Sequence, residues 1–545
     1  MIATGMSTAQ ASLDERSGQS FVYLSGGHRG QDVLRHILAR GAWRPGLIAV
    51  VSDAPRAAPL GTATEYDGIP VVTVPSVYSP AAWWAMAANG IKGVLAVGVP
   101  PNLPEESFLK AFPLGVYGFH AGLLPGAVGP AALNWALIRG LTNTGTTLLR
   151  YTPEGDGWLL VSQQPCCIED RETAGTLCTK LSAASAELWA QHWPAIARDD
   201  VALHPAGKLI RGLRRRPDDG AIRWAEHSAA SLDCWIRALA RPYPGAFFWF
   251  GSRHIWVHGV ECDIRQNAGI DAPTLTSVSA RCLTLDFPDG RVRISDLCLD
   301  DGSEIPGHLL AALAERVGDR LSSLHTGQRV LVVAAHPDDE VLGVGGTLIR
   351  HFKSGDEVRA VIVCTAHSIR YREGEHDQPG DTQRASHYLG ARSTGLGFAD
   401  QRLDQGSNLE LIQALERQIR EFQPQVIYTH WWGDVNADHA RIAEAVDVAA
   451  RPYSAPGLQS IYAFETPSST EWTASARAGA FAPNVFVDIS EELDRKLDAM
   501  RCYESELRPP PHPRSLRSLQ QRAAYWGSVA NMPAAEALAL LRTRR

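Results

Sequence analysis

The stretch Val330-Leu331-Val332-Val333-Ala334-Ala335-His336-Pro337-Asp338-Asp339-Glu340, continued by Val341-Leu342-Gly343-Val344-Gly345-Gly346, decides the reading of this chain. Its first six residues are an unbroken apolar run, the pattern of a parallel strand covered on both faces. Pro337 denies His336 a helical conformation and ends the ladder. Three carboxylates follow at once. So much negative charge beside an apolar strand end is unfavourable unless something positive sits there, and a divalent cation meets that need. A solvated acidic turn would account for an isolated D-D-E. Here the histidine, the proline stop and the acids coincide at the carboxyl end of a strand, where α/β sheets carry their sites. Glycines 343, 345 and 346 predict a tight turn into an apolar helix over 347–352.

A second cluster of the same kind lies about a hundred residues on. Gln425 to Thr429 reads as another buried strand. His430-Trp431-Trp432-Gly433-Asp434-Val435-Asn436-Ala437-Asp438-His439 follows, with a helix starting near Ala440. Two histidines and a carboxylate are a common catalytic zinc set that leaves a coordination position open. Zinc lowers the pKa of water from 15.7 towards ~7, and a neighbouring carboxylate can take the proton.

The combination H-P-D-D-E with N-x-D-H resembles the PIG-L/LmbE family of metal-dependent N-deacetylases. The resemblance spans roughly Gln328 to Arg545. It takes in Phe464-Glu465-Thr466-Pro467-Ser468-Ser469-Thr470-Glu471-Trp472 and Pro511-His512-Pro513-Arg514-Ser515. It implies a zinc-dependent amide hydrolase acting on an N-acetylated sugar or glycoconjugate. His336, Asp339 and His439 are the implied zinc ligands, Asp338 the implied base, and Asp438 a carboxylate that orients a ligand. Where many members read H-P-D-H, this chain has Asn436-Ala437-Asp438-His439. The oxyanion-stabilising role of that first histidine therefore falls to Asn436, His430 or His512. Trp431, Trp432 and Trp472 are read either as sugar-stacking platforms or as core and rim.

The N-terminal half alternates strands and helices: Phe21–Leu24, a helix ending at Arg40, Leu47–Ser52, Val71–Thr73 and Gly93–Gly98. That rhythm predicts a doubly wound parallel sheet. The Gly26-Gly27 pair is read as a tight turn. Leu114-Gly115-Val116-Tyr117-Gly118-Phe119-His120-Ala121-Gly122-Leu123-Leu124-Pro125-Gly126 follows, and then Gly129-Pro130-Ala131. This is similar to the formyltetrahydrofolate-dependent formyltransferases, with their N-x-H-x-S-L-L-P and R-G-x-x-P signature, over about Phe21 to Pro205. The resemblance implies catalytic roles for His120 and Asp156, a matched Gln163, and a formyl-folate cofactor held along Leu123, Leu124 and Pro125. Three positions depart from the pattern: Gly118 replaces the family asparagine, Gly122 the serine, and Gly157-Trp158 the T-G after the aspartate. Loss of one oxyanion donor costs ~10²–10³ in rate. Trp158 could also fill part of the cofactor or acceptor site.

Ala221-Ile222-Arg223-Trp224, Ile236 to Ala246 and the short strands that follow resemble the small β-barrel module behind many formyltransferase domains, with Asp289-Gly290 as a hairpin turn. The expected architecture is α/β: two doubly wound Rossmann-like parallel-sheet domains separated by a small OB-like β-barrel. The expected divisions are 1–20 disordered, 21–205 formyltransferase-like, 206–304 barrel, 305–327 linking helix and 328–545 deacetylase-like.

At 545 residues the chain exceeds one core. Hydrophobic residues make up 45% and charged ones 20%, an ordinary globular balance. The net charge of −7 argues against nucleic acid, and the basic run Arg211–Arg216 reads as a solvated linker. No apolar run spans a membrane, and no signal peptide is seen. Nine scattered cysteines form no disulfide framework, so a cytoplasmic setting is expected. The cofactors implied are Zn²⁺ and 10-formyltetrahydrofolate. The expected partners are a small N-acetylated, sugar-containing molecule and, if the N-terminal half is a dimerising scaffold, a second copy of the chain. Three functions compete: a zinc deacetylase, a deacetylase coupled to N-formylation, and a deacetylase carrying a non-catalytic N-terminal scaffold.

Overall fold

The computed structural model describes residues 20–41, 43–51, 64–74, 90–98, 106–153, 157–207, 210–211, 213–267, 269–325, 327–365, 377–474 and 479–544. The expected disordered start, the end of the second strand at Ser52 and the candidate Asp156 lie outside the described residues. The chain divides into two compact units, Met1–Leu324 and His325–Arg545. Both are mixed α/β, with sheets that contain parallel strands.

In the first unit, five strands run parallel in the order Gly115–His120, Gly93–Val97, Phe21–Ser25, Leu47–Val51, Ile69–Val74. Asn143–Tyr151 and Trp158–Cys167 extend one edge antiparallel. The helices Gly27–Arg40 and Ala174–Ile196 contribute Val33, Leu34 and Trp189 to a core shared with the sheet residues Phe21, Tyr23 and Tyr117.

The module downstream is a five-stranded antiparallel sheet, ordered Ala246–Phe250, Arg253–Ile264, Gly290–Cys298, Cys282–Phe287, Thr274–Val278. Phe287 pairs with Gly290, so the hairpin turns at Pro288-Asp289. Among the described residues the two outer strands, Ala246–Phe250 and Thr274–Val278, are not paired with each other. The expected linking helix is confined to Gly307–Ala314. Leu313, Leu321 and Leu324 pack into this module's core.

The second unit has a seven-stranded sheet. Its parallel part runs Ala391–Gly395, Glu357–Ile362, Arg329–Ala334, Val426–His430, Ser460–Phe464. Ala535–Thr543 and Val485–Asp488 close the far edge antiparallel. Val330 to Ala335 is buried throughout, as its composition requires. The chain moves outward from Arg329–Ala334 through two strands and then returns to its other side with Val426–His430. The loops after these two neighbouring strands therefore leave in opposite directions and open a crevice between them.

Two helix starts differ from expectation. The helix after Pro337 begins already at Asp339 and runs to Lys353, with one non-helical residue, Val344 (φ −137°). The three glycines thus lie inside the helix. A Cβ at Gly343 would stand 2.2 Å from the Phe464 ring, and one at Gly346 would stand 2.6 Å from Ile489, so these positions serve close packing. The break at Val344 leaves N–H groups that Glu536 accepts: Gly346 N at 2.8 Å and Thr347 N at 2.7 Å. Lys496 Nζ pairs with the same carboxylate at 2.6 Å. The helix expected near Ala440 begins at Ala437, because Asn436 caps it by accepting Asp438 N–H at 2.9 Å.

Replacing Gly343 with alanine sets two effects against each other. Alanine favours the helix by about 1 kcal/mol, whereas overpacking a buried ring costs ~1–3 kcal/mol. Phe464 is fully buried and cannot give way, so overpacking wins. Gly343→Ala should lower the denaturation midpoint of the second unit. An unchanged or raised midpoint would show that the helix moves off Phe464 freely.

Candidate metal centre

The crevice brings the two polar clusters together. His336 stands one residue past the buried run, and His439 lies in the first turn of Ala437–Ala449. Asp339 opens its own helix between them and is fully buried. Asp339 Oδ2 lies 3.3 Å from His336 Nδ1 and 3.3 Å from His439 Nε2. Nitrogen and oxygen ligands at ~2.0–2.1 Å around tetrahedral zinc stand ~3.3 Å from one another, so the spacing matches. One donor atom from each of the three residues falls within 4.8 Å of the others.

Asp339 Oδ1 and His439 Nε2 are buried, and neither makes a hydrogen bond of good geometry. Such groups are costly to leave unsatisfied. The orphaned atoms and the imidazole–carboxylate chemistry fit a divalent cation. Charge points the same way. Burial pushes the His439 imidazole down, but Asp339 and Asp434 outweigh it and hold the group up at about 9. Burial would raise Asp339, yet the facing histidines hold it well below the usual carboxylate range. Protons thus occupy the place that a cation would take, and metal binding would release them.

Each ligand has its own support. His336 Nε2 lies 3.2 Å from Asp438 Oδ2, whose carboxylate also accepts Gln401 N–H at 2.7 Å and Leu403 N–H at 3.2 Å. Asp438 therefore orients His336 and anchors the loop 401–403. His439 Nδ1 faces Asp434 Oδ1 at 3.3 Å. Asp434 is held in turn by the hydroxyls of Ser469 and Thr470. Burial tends to raise Asp434, but His439 and the two hydroxyls keep it below its ordinary value.

Asp338 is buried in a left-handed backbone conformation (φ 108°), unusual for an aspartate. Its Oδ2 accepts from Arg514 Nη1 at 2.9 Å. The same nitrogen reaches Glu506 at 3.0 Å, and Arg514 Nε donates to Ser468 Oγ at 2.7 Å. Burial raises Asp338 well above the usual carboxylate range, against the pull of Arg514. Glu340, also buried, accepts from Tyr503 OH at 2.7 Å and is pushed up to about 7 by its burial. An open cleft of about 460 Å³ gives access, lined by His336, Asp338, Cys364, Asp400, Asn436 and Arg514 among others.

His430, one of three candidates for an oxyanion donor, has both ring nitrogens engaged. It is fully buried, its Nε2 accepts Ala335 N–H at 2.9 Å, and its Nδ1 faces Thr466 Oγ1 at 3.1 Å. Burial holds it well below its ordinary value, and its ring stacks on His439 at 4.0 Å. His512 Nδ1 accepts Arg514 N–H at 3.1 Å, and its ring meets Trp472 edge-on at 6.1 Å. Asn436 lines the cleft. Trp431 is core, whereas Trp432 and Trp472 are exposed.

In the first unit, His120 ends the strand Gly115–His120. Gln163 pins the next loop, accepting Leu124 N–H and donating to Leu124 O at 2.9 Å. Leu123, Leu124 and Pro125 thus sit on a fixed loop. A Cβ at Gly122 would stand 2.9 Å from His120 Nε2. A Cβ at Gly118 would stand 3.1 Å from Ala96 O and 3.2–3.3 Å from the Tyr151 phenol. Tyr151 therefore packs closely on this position, with Trp158 against it at 4.3 Å.

A buried imidazole–carboxylate–imidazole set at the switch point of a parallel sheet defines a candidate metal-dependent hydrolase centre. Comparison with known proteins falls on the same strands. Residues 331–450 match the PIG-L family model, described as GlcNAc-PI de-N-acetylase, and residues 215–313 match the formyl transferase C-terminal domain. The chain carries a PIG-L deacetylase domain towards its C-terminus, with a formyltransferase C-terminal domain upstream. Similar solved structures include the N,N'-diacetylchitobiose deacetylase of Pyrococcus horikoshii (20% identity, 39% of this chain and 84% of that one, TM-score 0.32). HypX from Aquifex aeolicus is 12% identical over 76% of this chain and 68% of its own (TM-score 0.41). An N-formyltransferase from Helicobacter canadensis is 12% identical over 52% and 100% (TM-score 0.38).

Asp434 sets a measurable property of this centre. Asp434→Asn should weaken zinc affinity by ~10–100-fold, read by competition with a chromophoric chelator. Wild-type affinity in the variant would remove Asp434 from the support of His439.

Proposed function

We propose that the second unit is a zinc-dependent amide hydrolase that removes an N-acetyl group from an N-acetylated amino sugar or glycoconjugate, acting as a soluble cytoplasmic protein. The observation that carries this reading is the convergence of His336, Asp339 and His439, with orphaned donor atoms, beside an Arg514-held carboxylate on an open cleft. In it, His336, Asp339 and His439 hold the metal. Bound zinc supplies Lewis acidity and lowers the pKa of water.

The chain's own residues then divide the work. Arg514 occupies Asp338 Oδ2 and leaves Oδ1 to act as base. Asp338 takes a proton from the attacking water as the C–O bond forms, and gives it to the departing nitrogen as the C–N bond breaks. Acetate and a free amine result. Asn436 uses its side-chain oxygen to cap its helix, so its amide N–H groups are assigned to the developing oxyanion. The cost of losing such a donor is ~3 kcal/mol. The proposed divisions of the chain remain 21–205, 206–304, 305–327 and 328–545, with the five-stranded sheet read as an OB-like module.

Asp338→Asn should keep about one zinc per chain while deacetylation falls by ~10² or more. His336→Ala should lose the metal. If Asp338→Asn loses metal and activity together, the roles of Asp338 and Asp339 are exchanged.

A second reading is favoured by the formyltransferase C-terminal domain at 215–313 and by the pinned loop beside His120. The first unit would formylate the amine that the second unit frees, using 10-formyltetrahydrofolate, with His120 and Asp156 in the catalytic roles. Mass spectrometry of the product formed from an N-acetyl substrate with 10-formyltetrahydrofolate separates the readings. A formamide that His120→Ala abolishes makes the protein bifunctional. A persistent free amine leaves the first unit as a scaffold.

A further inference from the structure

His336 faces a second group of potential ligand atoms beside the hydrolytic set. Its Nδ1 points to Asp339, but its Nε2 lies 3.2 Å from Asp438 Oδ2 and 3.1 Å from Asp400 Oδ1. Cys364, just past the strand Glu357–Ile362, is buried, and its Sγ stands 3.7 Å from the same Asp438 Oδ2. His336, Cys364 and Asp438 each place one donor atom within 4.8 Å of the others. Cys364 and Asp400 also line the cleft, so a solvated ion has a path to them.

These separations can be weighed against coordination geometry. Tetrahedral zinc, with sulfur at ~2.3 Å and nitrogen or oxygen at ~2.0 Å, places sulfur ~3.5 Å from oxygen and nitrogen ~3.3 Å from oxygen. The distances of 3.7 and 3.2 Å lie close to both. Hydrogen bonds account for the metal-free arrangement, with the thiol donating to Asp438. They also leave sulfur, nitrogen and oxygen donors converged on one point.

We propose that Cys364, Asp438 and His336 Nε2, with Asp400 at their edge, form a second, weaker and thiophilic metal site that inhibits the hydrolytic centre when filled. It is weaker because Asp438 already accepts two backbone N–H groups, and because both the thiol proton and, with Nδ1 on the first metal, the Nε2 proton of His336 must be released to solvent on binding. It is thiophilic because a thiolate selects softer ions from a set otherwise made of nitrogen and oxygen. It inhibits because the ion takes the Nε2 and Oδ2 atoms whose contact orients His336 towards the first site. The inhibitory effect rests on the deacetylase reading, whereas the site itself does not.

The test is a Co²⁺ titration of metal-free, full-length protein, followed by ultraviolet–visible absorption. The hydrolytic set contains no sulfur, so the first equivalent should bring no thiolate-to-metal charge-transfer band. A band should appear with the second equivalent and vanish in Cys364→Ser, while uptake of the first equivalent in that variant shows that it is folded. Excess Zn²⁺ should inhibit the wild type, and Cys364→Ser should need ~10-fold or more zinc for the same inhibition. No band in the wild type at two equivalents overturns the site, as does a band that survives Cys364→Ser. Equal zinc inhibition in both proteins overturns the inhibitory role. The spectrum reads metal rather than turnover, so it stands or falls apart from the deacetylase reading.

Discussion

The burial of three consecutive carboxylates is the constraint on which the second unit depends. Asp338, Asp339 and Glu340 are each at most 1% exposed, and ionised carboxylates are not buried without compensation. Each is compensated differently: Asp338 by the Arg514 guanidinium, Asp339 by two imidazoles, Glu340 by the Tyr503 hydroxyl. The difference in partners creates the difference in role. A carboxylate between imidazoles is half of a metal site. One held at a single oxygen by arginine is the proposed base, with the other oxygen assigned to proton transfer. One bonded to a phenol and pushed up to about 7 is suited to structure.

Much of this was legible in the sequence, because the strand stop and the acids are adjacent in the chain and the second cluster repeats the pattern. The buried run Val330–Ala335 and the return strand at Val426 followed from apolar patterning alone. What was not legible depended on long-range contacts. Asp434 and Arg514 lay inside stretches already quoted, yet their roles appear only when Asp434 meets His439 and Arg514 crosses to Asp338. Asp400 carried no local signal. The three glycines were misread as a turn because their partners, Phe464 and Ile489, are more than a hundred residues away. His430, at the carboxyl end of its strand, reads as functional from sequence. Its two ring nitrogens are instead committed to Ala335 and Thr466.

The first unit shows a similar dependence. Gly118 reads in sequence as the loss of an oxyanion donor. In the structure its surroundings are close: the Tyr151 ring packs against the place where a side chain would emerge, and Trp158 lies tilted against Tyr151. An asparagine at 118 would therefore require Tyr151 to give by a few tenths of an ångström. Gly118 and Trp158 share Tyr151 as a neighbour, so substitutions at the two positions are expected not to act independently.

The central claim, that one zinc is held by two imidazoles and a carboxylate without sulfur, is tested most directly by zinc-edge X-ray absorption. The protein should be loaded with a single equivalent. A first shell of nitrogen and oxygen at ~2.0–2.1 Å is expected, with outer-shell scattering from two imidazoles. That imidazole signal should be halved in His439→Ala. A sulfur shell at ~2.3 Å with one equivalent bound, or a spectrum that His439→Ala leaves unchanged, would contradict the claim.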